Sequence, residues 1–209
     1  NQTTTAPDLS ILANNDKPHI IIIDQVANDA SITGAGATAD NFFAMLVHAK
    51  ERYPDANIWI KAHPAGKGYF APTDIAPPFY LDTPCNPIAL IRQVQAVYTV
   101  SSHMGFEALM LAKTVHNFGV NWYAGFGLTD DDFVKNTPIY QNLIRHYQAL
   151  NITQASLSQL FYASYVRYSH YANPVTGGAC DIETVMDYLI TNRDWQNQLG
   201  SELLVYDFS

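Results

Sequence analysis

The sequence predicts an α/β fold built on a mostly parallel, Rossmann-like sheet with flanking helices, followed by a helical C-terminal part. Short apolar, β-branched runs alternate with helix patterns from residue 19 to residue 118. This alternation is typical of βαβ units with right-handed crossovers. The run over 19–24, His-Ile-Ile-Ile-Ile-Asp, has no polar alternation. Such a run is expected of a strand that helices cover on both faces.

Composition narrows the class of protein. The chain has 209 residues, of which 48% are hydrophobic, and this is enough apolar surface for a real core. The net charge of −8 argues against a general nucleic-acid binder, which would need a basic face. Cys85 and Cys180 form neither a disulfide framework nor a metal-ligand spacing. We therefore expect no metal and no cofactor. No apolar run approaches the ~20 residues of a membrane span.

Three ranges organise the chain. Residues 1–17 are polar and predict a linker or lead-in. Residues 18–135 carry the strand and helix alternation and predict a Rossmann-like domain. Residues 136–209 carry mainly helical patterns and predict a helical C-terminal region packed on that domain.

The first elements have clear signals. After the strand at 19–24, an apolar stripe predicts a helix over 41–53, capped by Thr38 or Asp40. The preceding glycines at 34 and 36 lack the spacing of a dinucleotide-binding loop. A second apolar run predicts a strand over 57–62.

The same alternation continues to residue 118, and Pro87 suits the first turn of a helix. The predicted elements are strands over 79–81, 96–100 and 114–118 and helices over 86–93 and 102–112. Beyond them, the patterns predict helices over 139–150, 156–170 and 181–192. The acidic run at 130–132 is expected to be a solvated surface loop, and the tyrosines at 162, 165, 168 and 171 to be core or interface.

Polar chemistry follows two of the predicted strands. Lys61, His63 and Pro64 end one strand, and Ser101 and Ser102 end another. The carboxyl ends of parallel strands line the ligand crevice of an open α/β sheet. Since a helix follows the serines, its N-terminal N–H groups also suit a phosphate. The two segments together predict a nucleotide-phosphate clamp, although a serine can serve only as an N-cap and a histidine can simply bond to backbone.

Three carboxylates are candidates for further roles. Glu107 lies about one and a half turns into the predicted helix, where it could reach a ribose diol. Asp24 ends the first strand and Asp29 lies in the following loop. From its position alone, Asp24 can serve as a helix cap or a loop anchor.

Five segments in order resemble a known family. They are Ile23-Asp-Gln25 with Asp29-Ala-Ser31, Lys61-Ala-His-Pro64, Thr99–Leu109, Phe118–Asp130 and Tyr168–Gly177. Together they are similar to the capsule-polysaccharide synthesis glycosyltransferases, the KpsC-type retaining β-Kdo transferases of Gram-negative bacteria. The resemblance covers roughly residues 19–190.

The resemblance implies a GT-B-like enzyme of two Rossmann-like halves that transfers Kdo from CMP-β-Kdo, with retention, to a glycan or lipid-linked glycan. It implies a cytoplasmic location, peripheral at the inner face of the inner membrane. The chain is short for two Rossmann-like halves. We therefore expect mainly the half that binds the nucleotide sugar, at residues 18–135, and a second Rossmann-like half as a partner.

The resemblance also assigns residues. Asp24 or Asp29 would be the catalytic carboxylate. Donor-nucleotide binding would fall to Lys61, His63, Pro64, Ser101, Ser102 and Glu107. The substrate cleft would include Gln25, Lys67, His103, Tyr123 and Gly125.

Three positions depart from the family pattern. His103 stands where the family commonly has glutamine, and Asn28 stands where it often has glycine. The segment after Asp130 lacks the arginines often found there. Two alternatives therefore stay open. One is another nucleotide-sugar enzyme, such as a sialyltransferase-like transferase or an epimerase. The other is a non-catalytic CMP-sugar-binding or scaffold module of a capsule assembly complex.

Overall fold

The computed structural model describes residues 16–71, 79–83 and 85–199. The chain divides into two compact units at the junction between Leu157 and Ser158. Most of the lead-in at 1–17 lies outside the described residues. The sequence-based domain ranges stay a prediction.

The first unit contains a five-stranded, fully parallel sheet in the order β3-β2-β1-β4-β5. The strands are β1 (His19–Ile23), β2 (Asn57–Lys61), β3 (Tyr80–Leu81), β4 (Ala96–Thr99) and β5 (Thr114–Asn117). The predicted α/β, Rossmann-like architecture is confirmed. From β1 the chain builds outward through β2 and β3, then returns to place β4 on the other side of β1. This reversal of direction is the topological switch point of the sheet.

Among the described residues, five helices lie wholly within the first unit. They are α1 (Ala30–Gly34), α2 (Ala39–Arg52), α3 (Pro87–Arg92), α4 (His103–Met110) and α5 (Pro138–Ala149). Thr38 begins α2, and its N–H donates to Asn41 Oδ1 over 2.9 Å. Pro87 occupies the first turn of α3 as predicted, and Asn86 caps that helix through the N–H of Ala89. The short α1 was not predicted from the sequence.

The core fixes the position of β1. Ile20, Ile21 and Ile22 are fully buried, and α2 contributes the buried side chains of Phe42 and Met45. Full burial of one such side chain is worth about 1.5–3 kcal/mol. A shift of β1 would expose several of them, so residues that directly follow this strand have a rigid base.

The second unit departs from the single helix predicted over 156–170. Helix α6 (Leu157–Phe161), which begins at the end of the first unit, passes into a π-helix over Tyr162–Tyr168. Ser169 closes the π-helix, because its N–H (3.2 Å) and its hydroxyl (2.8 Å) both donate to Ser164 O, five residues back. Tyr168 is 85% exposed.

The rest of the second unit is a hairpin and a helix. Strand β6 (Tyr171–Ala172) pairs antiparallel with β7 (Ala179–Cys180), and α7 follows over Ile182–Leu199. The turn between the two strands contains Gly177 at a φ of 74°. Two-residue strands are too short to give a sequence pattern, so the hairpin was missed. None of the helices within the described ranges combines the length and apolarity needed to cross a lipid bilayer.

Candidate functional site

The carboxyl ends of β1 and β4 meet at the switch point of the sheet. There the side-chain amide of Gln25 forms two hydrogen bonds with Ser101. Gln25 Oε1 accepts the Ser101 N–H over 2.9 Å, and Gln25 Nε2 donates to Ser101 Oγ over 2.8 Å. The structure therefore brings together residues that the sequence placed on one edge.

This bridge continues to Asp29. Ser101 Oγ lies 3.0 Å from Ser31 Oγ, and the Ser31 N–H donates to Asp29 Oδ1 over 2.7 Å. Asp29 is the N-cap of α1. A continuous hydrogen-bonded path thus links Gln25, at the end of β1, through the serine that follows β4, to the first turn of α1.

Ser102 acts as the N-cap of α4. Its hydroxyl accepts the Met104 N–H over 3.3 Å, and its own N–H donates to Thr99 Oγ1 over 3.1 Å. The capping alternative therefore holds for this serine. It does not exclude a ligand, because the positive end of the α4 dipole still favours an anion at this position.

The two basic side chains at the end of β2 and just after it, Lys61 and His63, differ in exposure. His63 is exposed, and its Nδ1 accepts the Ala65 N–H over 3.1 Å. In the neutral ring the proton is therefore on Nε2, which is left as a donor. Lys61 is only 7% exposed, and its ammonium donates to Ala62 O over 2.8 Å.

A cavity of about 280 Å³ lies between the segment after β2 and the start of α4. Its walls include Asp24, Lys61, His63, Pro64, Cys85 and Ser102. A neighbouring cavity of about 480 Å³ shares His63 and Pro64 and is also lined by Lys67. Most of the sequence-predicted nucleotide-binding residues therefore surround one space. Cys85 was missed, because nothing in the sequence distinguishes it from a core cysteine.

Asp24 is a buried anchor. It is 1% exposed, and its Oδ1 accepts the N–H groups of Gln25 and Tyr69, each over 2.9 Å. Its Oδ2 accepts the Phe70 N–H over 3.1 Å. Burial raises the pKa of this carboxyl, while the three N–H groups and nearby His63 act to lower it. Both carboxylate oxygens are used by the protein, as the loop-anchor alternative predicts.

Asp29 has the opposite environment. It is exposed at the start of α1, and Asn28 before it has a left-handed φ of 66°. The hydroxyl and the N–H of Ser31 lower the pKa of Asp29, and His63 adds to that effect. Its Oδ1 accepts the Ser31 N–H over 2.7 Å. Asp29 is therefore ionised at neutral pH and accessible.

Glu107 lies half-buried on α4. Its Oε2 is shielded from solvent and has no hydrogen-bond partner among the described residues. Burial raises the pKa of Glu107, and exposed His103, one turn earlier, acts to lower it. A buried carboxylate oxygen without a donor is costly unless a ligand supplies one.

Two predicted cleft residues lie behind the cavity. Tyr123 is fully buried, and its hydroxyl donates to Ser102 O over 2.7 Å. Burial raises the pKa of Tyr123. Gly125, at a φ of 82°, donates its N–H to Asp131 Oδ2 over 2.8 Å. In this structure Tyr123 supports the cap of α4 instead of lining the space in front of it.

The prediction that the acids at 130–132 are solvated is wrong for Asp131. This carboxylate is 9% exposed and accepts hydrogen bonds from four groups. The donors are Gly125 N (2.8 Å), Asn117 Nδ2 (2.8 Å), Thr129 Oγ1 (2.7 Å) and Tyr140 OH (2.9 Å).

The two neighbouring acids have different surroundings. Asp130 Oδ2 lies 2.9 Å from Nδ1 of His116, a buried ring whose pKa is lowered by burial. Asp132 is exposed and pairs with Lys135 over 2.8 Å, as a solvated acid would. The prediction thus fits Asp132 and fails where the loop folds back on Asn117.

Within the ranges 16–71, 79–83 and 85–199, no three His, Cys, Asp or Glu side chains cluster closely enough to hold a metal ion. The expectation that this protein uses neither metal nor cofactor stays a prediction.

Comparison with known sequences identifies a family and similar proteins from two organisms. The sequence model of the family described as capsule polysaccharide biosynthesis protein matches residues 1–171. The capsule polysaccharide modification protein LipA of Neisseria meningitidis serogroup B is 38% identical over 208 residues, covering 95% of this chain and 29% of LipA. The lipopolysaccharide-processing protein LpsZ of Rhizobium meliloti is 31% identical over 182 residues, covering 84% of this chain and 38% of LpsZ.

Two solved structures share the fold. KpsC of Thermosulfurimonas dismutans, described as a β-Kdo 2,4 transferase, superposes with a TM-score of 0.72 at 33% identity, covering 91% of this chain and 55% of that one. The KpsC β-Kdo 2,7 transferase of the same organism gives a TM-score of 0.63 at 25% identity, covering 86% of this chain and 55% of that one. This chain thus spans well under half of its curated relatives and about half of these structures. Because the family match extends over most of the 209 residues, the chain belongs to the capsule polysaccharide biosynthesis protein family.

Proposed function

We propose that this chain is the nucleotide-sugar-binding part of a glycosyltransferase of capsular or surface polysaccharide biosynthesis. It transfers Kdo from CMP-β-Kdo to a glycan or glycolipid acceptor with retention of configuration. The family match and the two KpsC structures, both described as β-Kdo transferases, support this assignment.

One juxtaposition carries the proposal. The exposed carboxylate of Asp29 is hydrogen-bonded through Ser31 to the serine that follows β4, and His63 lies close enough to lower the pKa of Asp29. An ionised carboxylate beside phosphate donors is what a retaining transfer from a nucleotide sugar requires.

The leaving group sets the main electrostatic task. CMP departs with negative charge on its phosphate, so donors must face that phosphate. The Nε2–H of His63 and the N-terminus of α4 at Ser102 supply them. Glu107, whose buried Oε2 lacks a donor, accepts the hydroxyls of the ribose.

Asp29, not Asp24, is the nucleophile in this proposal. Asp24 has both oxygens committed to backbone N–H groups. Asp29 attacks the anomeric carbon as the bond to phosphate breaks, giving a covalent glycosyl intermediate. The acceptor hydroxyl then displaces the carboxylate with loss of its proton, and two inversions give net retention.

The remaining part of the enzyme lies in a second Rossmann-like half, which completes a GT-B-like cleft and binds the acceptor. The chain spans 55% of each KpsC structure, which leaves length for such a half in those proteins. We place the activity in the cytoplasm, peripheral at the inner face of the inner membrane, where a lipid-linked acceptor is available.

Calorimetric titration with CMP tests the proposal. Separate titrations with UMP and AMP, which carry the same phosphate charge, are the controls for selectivity. We expect selective CMP binding that weakens by about tenfold or more in His63→Ala, since a charge-assisted hydrogen bond is lost. His146→Ala is the matched control, because His146 is exposed on α5 and should leave the affinity unchanged. Absence of binding to every nucleotide would contradict the proposal.

A non-catalytic CMP-sugar-binding module is the second candidate. The departures from the family pattern at Asn28 and His103 keep it open. A transfer assay with CMP-Kdo generated in situ separates the two. CMP binding without transfer to a Kdo-containing acceptor supports the module. Transfer that CMP-sialic acid can also drive supports a sialyltransferase-like enzyme.

A further inference from the structure

A hydrogen-bonded tie joins the loop that carries His63 to the turn that carries Asp29. We propose that this tie is a positioning device, in which Asp24 holds Tyr69 and Tyr69 holds the turn that presents Asp29. For the catalytic role of Asp29 the inference rests on the proposed function. The tie itself involves only contacts within this chain.

Asp24 is the fixed end of the tie. It follows the buried strand β1 directly, and its carboxylate binds the N–H groups of Tyr69 and Phe70. The loop approaches so closely that a Cβ on Gly68 would lie 2.0 Å from Asp24 Oδ2. Only glycine fits at that position, so contact between loop and carboxylate is built into the sequence.

Tyr69 is a rigid strut between the two segments. Its backbone N–H is bound by Asp24, and its ring stacks on the fully buried ring of Phe42 at 4.2 Å and 19°. Its hydroxyl accepts the Asn28 N–H over 3.1 Å. A second bond, from Ala27 N–H to Lys67 O over 2.9 Å, runs beside it.

The far end of the tie is the turn before Asp29. The Asp29 N–H donates to Val26 O over 3.2 Å, and Asn28 adopts a left-handed φ of 66°. Asparagine tolerates that conformation better than most residues do. The Tyr69 hydroxyl fixes the turn at this residue, directly before Asp29. A displacement of the His63 loop would therefore move Asp29.

Removal of one hydroxyl tests the strut. Tyr69→Phe keeps the ring stacking and the N–H bond to Asp24 and loses only the bond to Asn28. We expect kcat to fall about five- to tenfold, the size of one lost hydrogen bond, with KM for the donor and CMP affinity unchanged. Tyr80→Phe is the matched control, because the Tyr80 hydroxyl donates to Phe70 O over 3.3 Å in the same loop, and its loss leaves the bond between Tyr69 and Asn28 in place.

Amide hydrogen exchange gives a readout that needs no activity. In Tyr69→Phe the amides of Asn28 and Asp29 should exchange about tenfold faster, whereas Tyr80→Phe should leave both unchanged. Gly68→Ala breaks the tie at its other end and should also speed exchange at both amides. Gly66→Ala is its control, since an added Cβ there meets only Val26 at an ordinary 3.6 Å.

The outcomes separate the inference from the proposed function. Wild-type exchange rates and kcat in Tyr69→Phe would overturn the inference, as would an equal loss of kcat in Tyr80→Phe. If the wild-type chain transfers no sugar, the proposed function fails and exchange alone decides the tie. Faster exchange at Asp29 then supports the tie, and unchanged exchange overturns it.

Discussion

Two regions of the first unit each contain one buried and one exposed aspartate, and the two kinds of aspartate have opposite roles. At the end of β1, Asp24 is buried and bonded to backbone, while Asp29, five residues later, is exposed and bonded on one oxygen. In the loop after β5, Asp131 is buried and holds four donors, while Asp132 next to it is exposed and pairs only with Lys135.

These carboxylates differ in how many hydrogen bonds their oxygens already accept from the protein. An acid whose oxygens are all occupied by the protein stabilises a loop and has little capacity left for a substrate. An exposed acid in a loop without other polar groups is a solvated charge. Asp29 alone among the four combines exposure with neighbours suited to phosphate. The contrast therefore predicts different results for the same substitution in each place.

The largest difference is expected between Asp29→Asn and Asp24→Asn. Asp29→Asn removes the nucleophile, and transfer should fall about 10⁴-fold with an unchanged unfolding midpoint, because asparagine caps a helix as well as aspartate does. Asp24→Asn turns one acceptor into a donor that faces a backbone N–H. One unsatisfied N–H costs about 1–3 kcal/mol, and relief of the buried charge offsets part of that.

Rates of transfer and denaturant unfolding measured on both variants check this pair. We expect Asp24→Asn to lose about 1 kcal/mol of unfolding free energy and to keep measurable transfer. Full transfer by Asp29→Asn would exclude it as the nucleophile. A 10⁴-fold loss in Asp24→Asn with unchanged stability would assign catalysis to Asp24 instead.

A smaller effect is expected from Asp131→Ala, which leaves four donors without their acceptor. The unfolding free energy should fall by about 2–4 kcal/mol, with CMP affinity changed by less than about twofold, since Asp131 does not line the cavity. Asp132→Ala is the control and should leave stability unchanged. Urea denaturation and CMP titration measure both quantities, and equal stability of the two variants would contradict the structural role of Asp131.

Much of the fold follows from sequence pattern. The apolar runs at β1, β2 and β4 have no polar alternation, so a parallel sheet covered on both faces was predictable. Helix α1 was not, because five residues with a glycine at the end give no periodic stripe. The π-helix was missed because the spacing of Leu157, Leu160, Phe161 and Tyr165 fits an ordinary helix equally well.

The site was predictable in outline for a topological reason. Parallel strands end at one edge, so residues that follow β1 and β4 lie on the same edge once the sheet is assigned. Direct contact between Gln25 and Ser101 also requires that β1 and β4 pair, which only the structure shows. The occupancy of Asp24 was not predictable, because its partners are backbone N–H groups at Tyr69 and Phe70, which leave no sequence signature. The burial of Asp131 was hidden for the same reason, since Asn117 and Tyr140 reach it through tertiary contacts.

The smallest effect concerns pH, and it isolates the environment of Asp29. The Ser31 hydroxyl is the largest cause of its lowered pKa, followed by the Ser31 N–H. A nucleophilic carboxylate must be ionised, so transfer is lost as the pH falls through that pKa.

Ser31→Ala removes the hydroxyl and raises the pKa of Asp29 toward the ordinary value of about 3.9, which moves the acid limb of kcat/KM to higher pH. Thr33→Ala, an exposed position on the same helix, should leave the limb in place. The depressed pKa also stabilises the folded state above the unfolded pKa, and this contribution vanishes as the pH falls through the folded value. Ser31→Ala should therefore show a weaker acid dependence of stability as well. A limb that stays fixed, or moves to lower pH, would mean that the ionisation of Asp29 does not control the reaction.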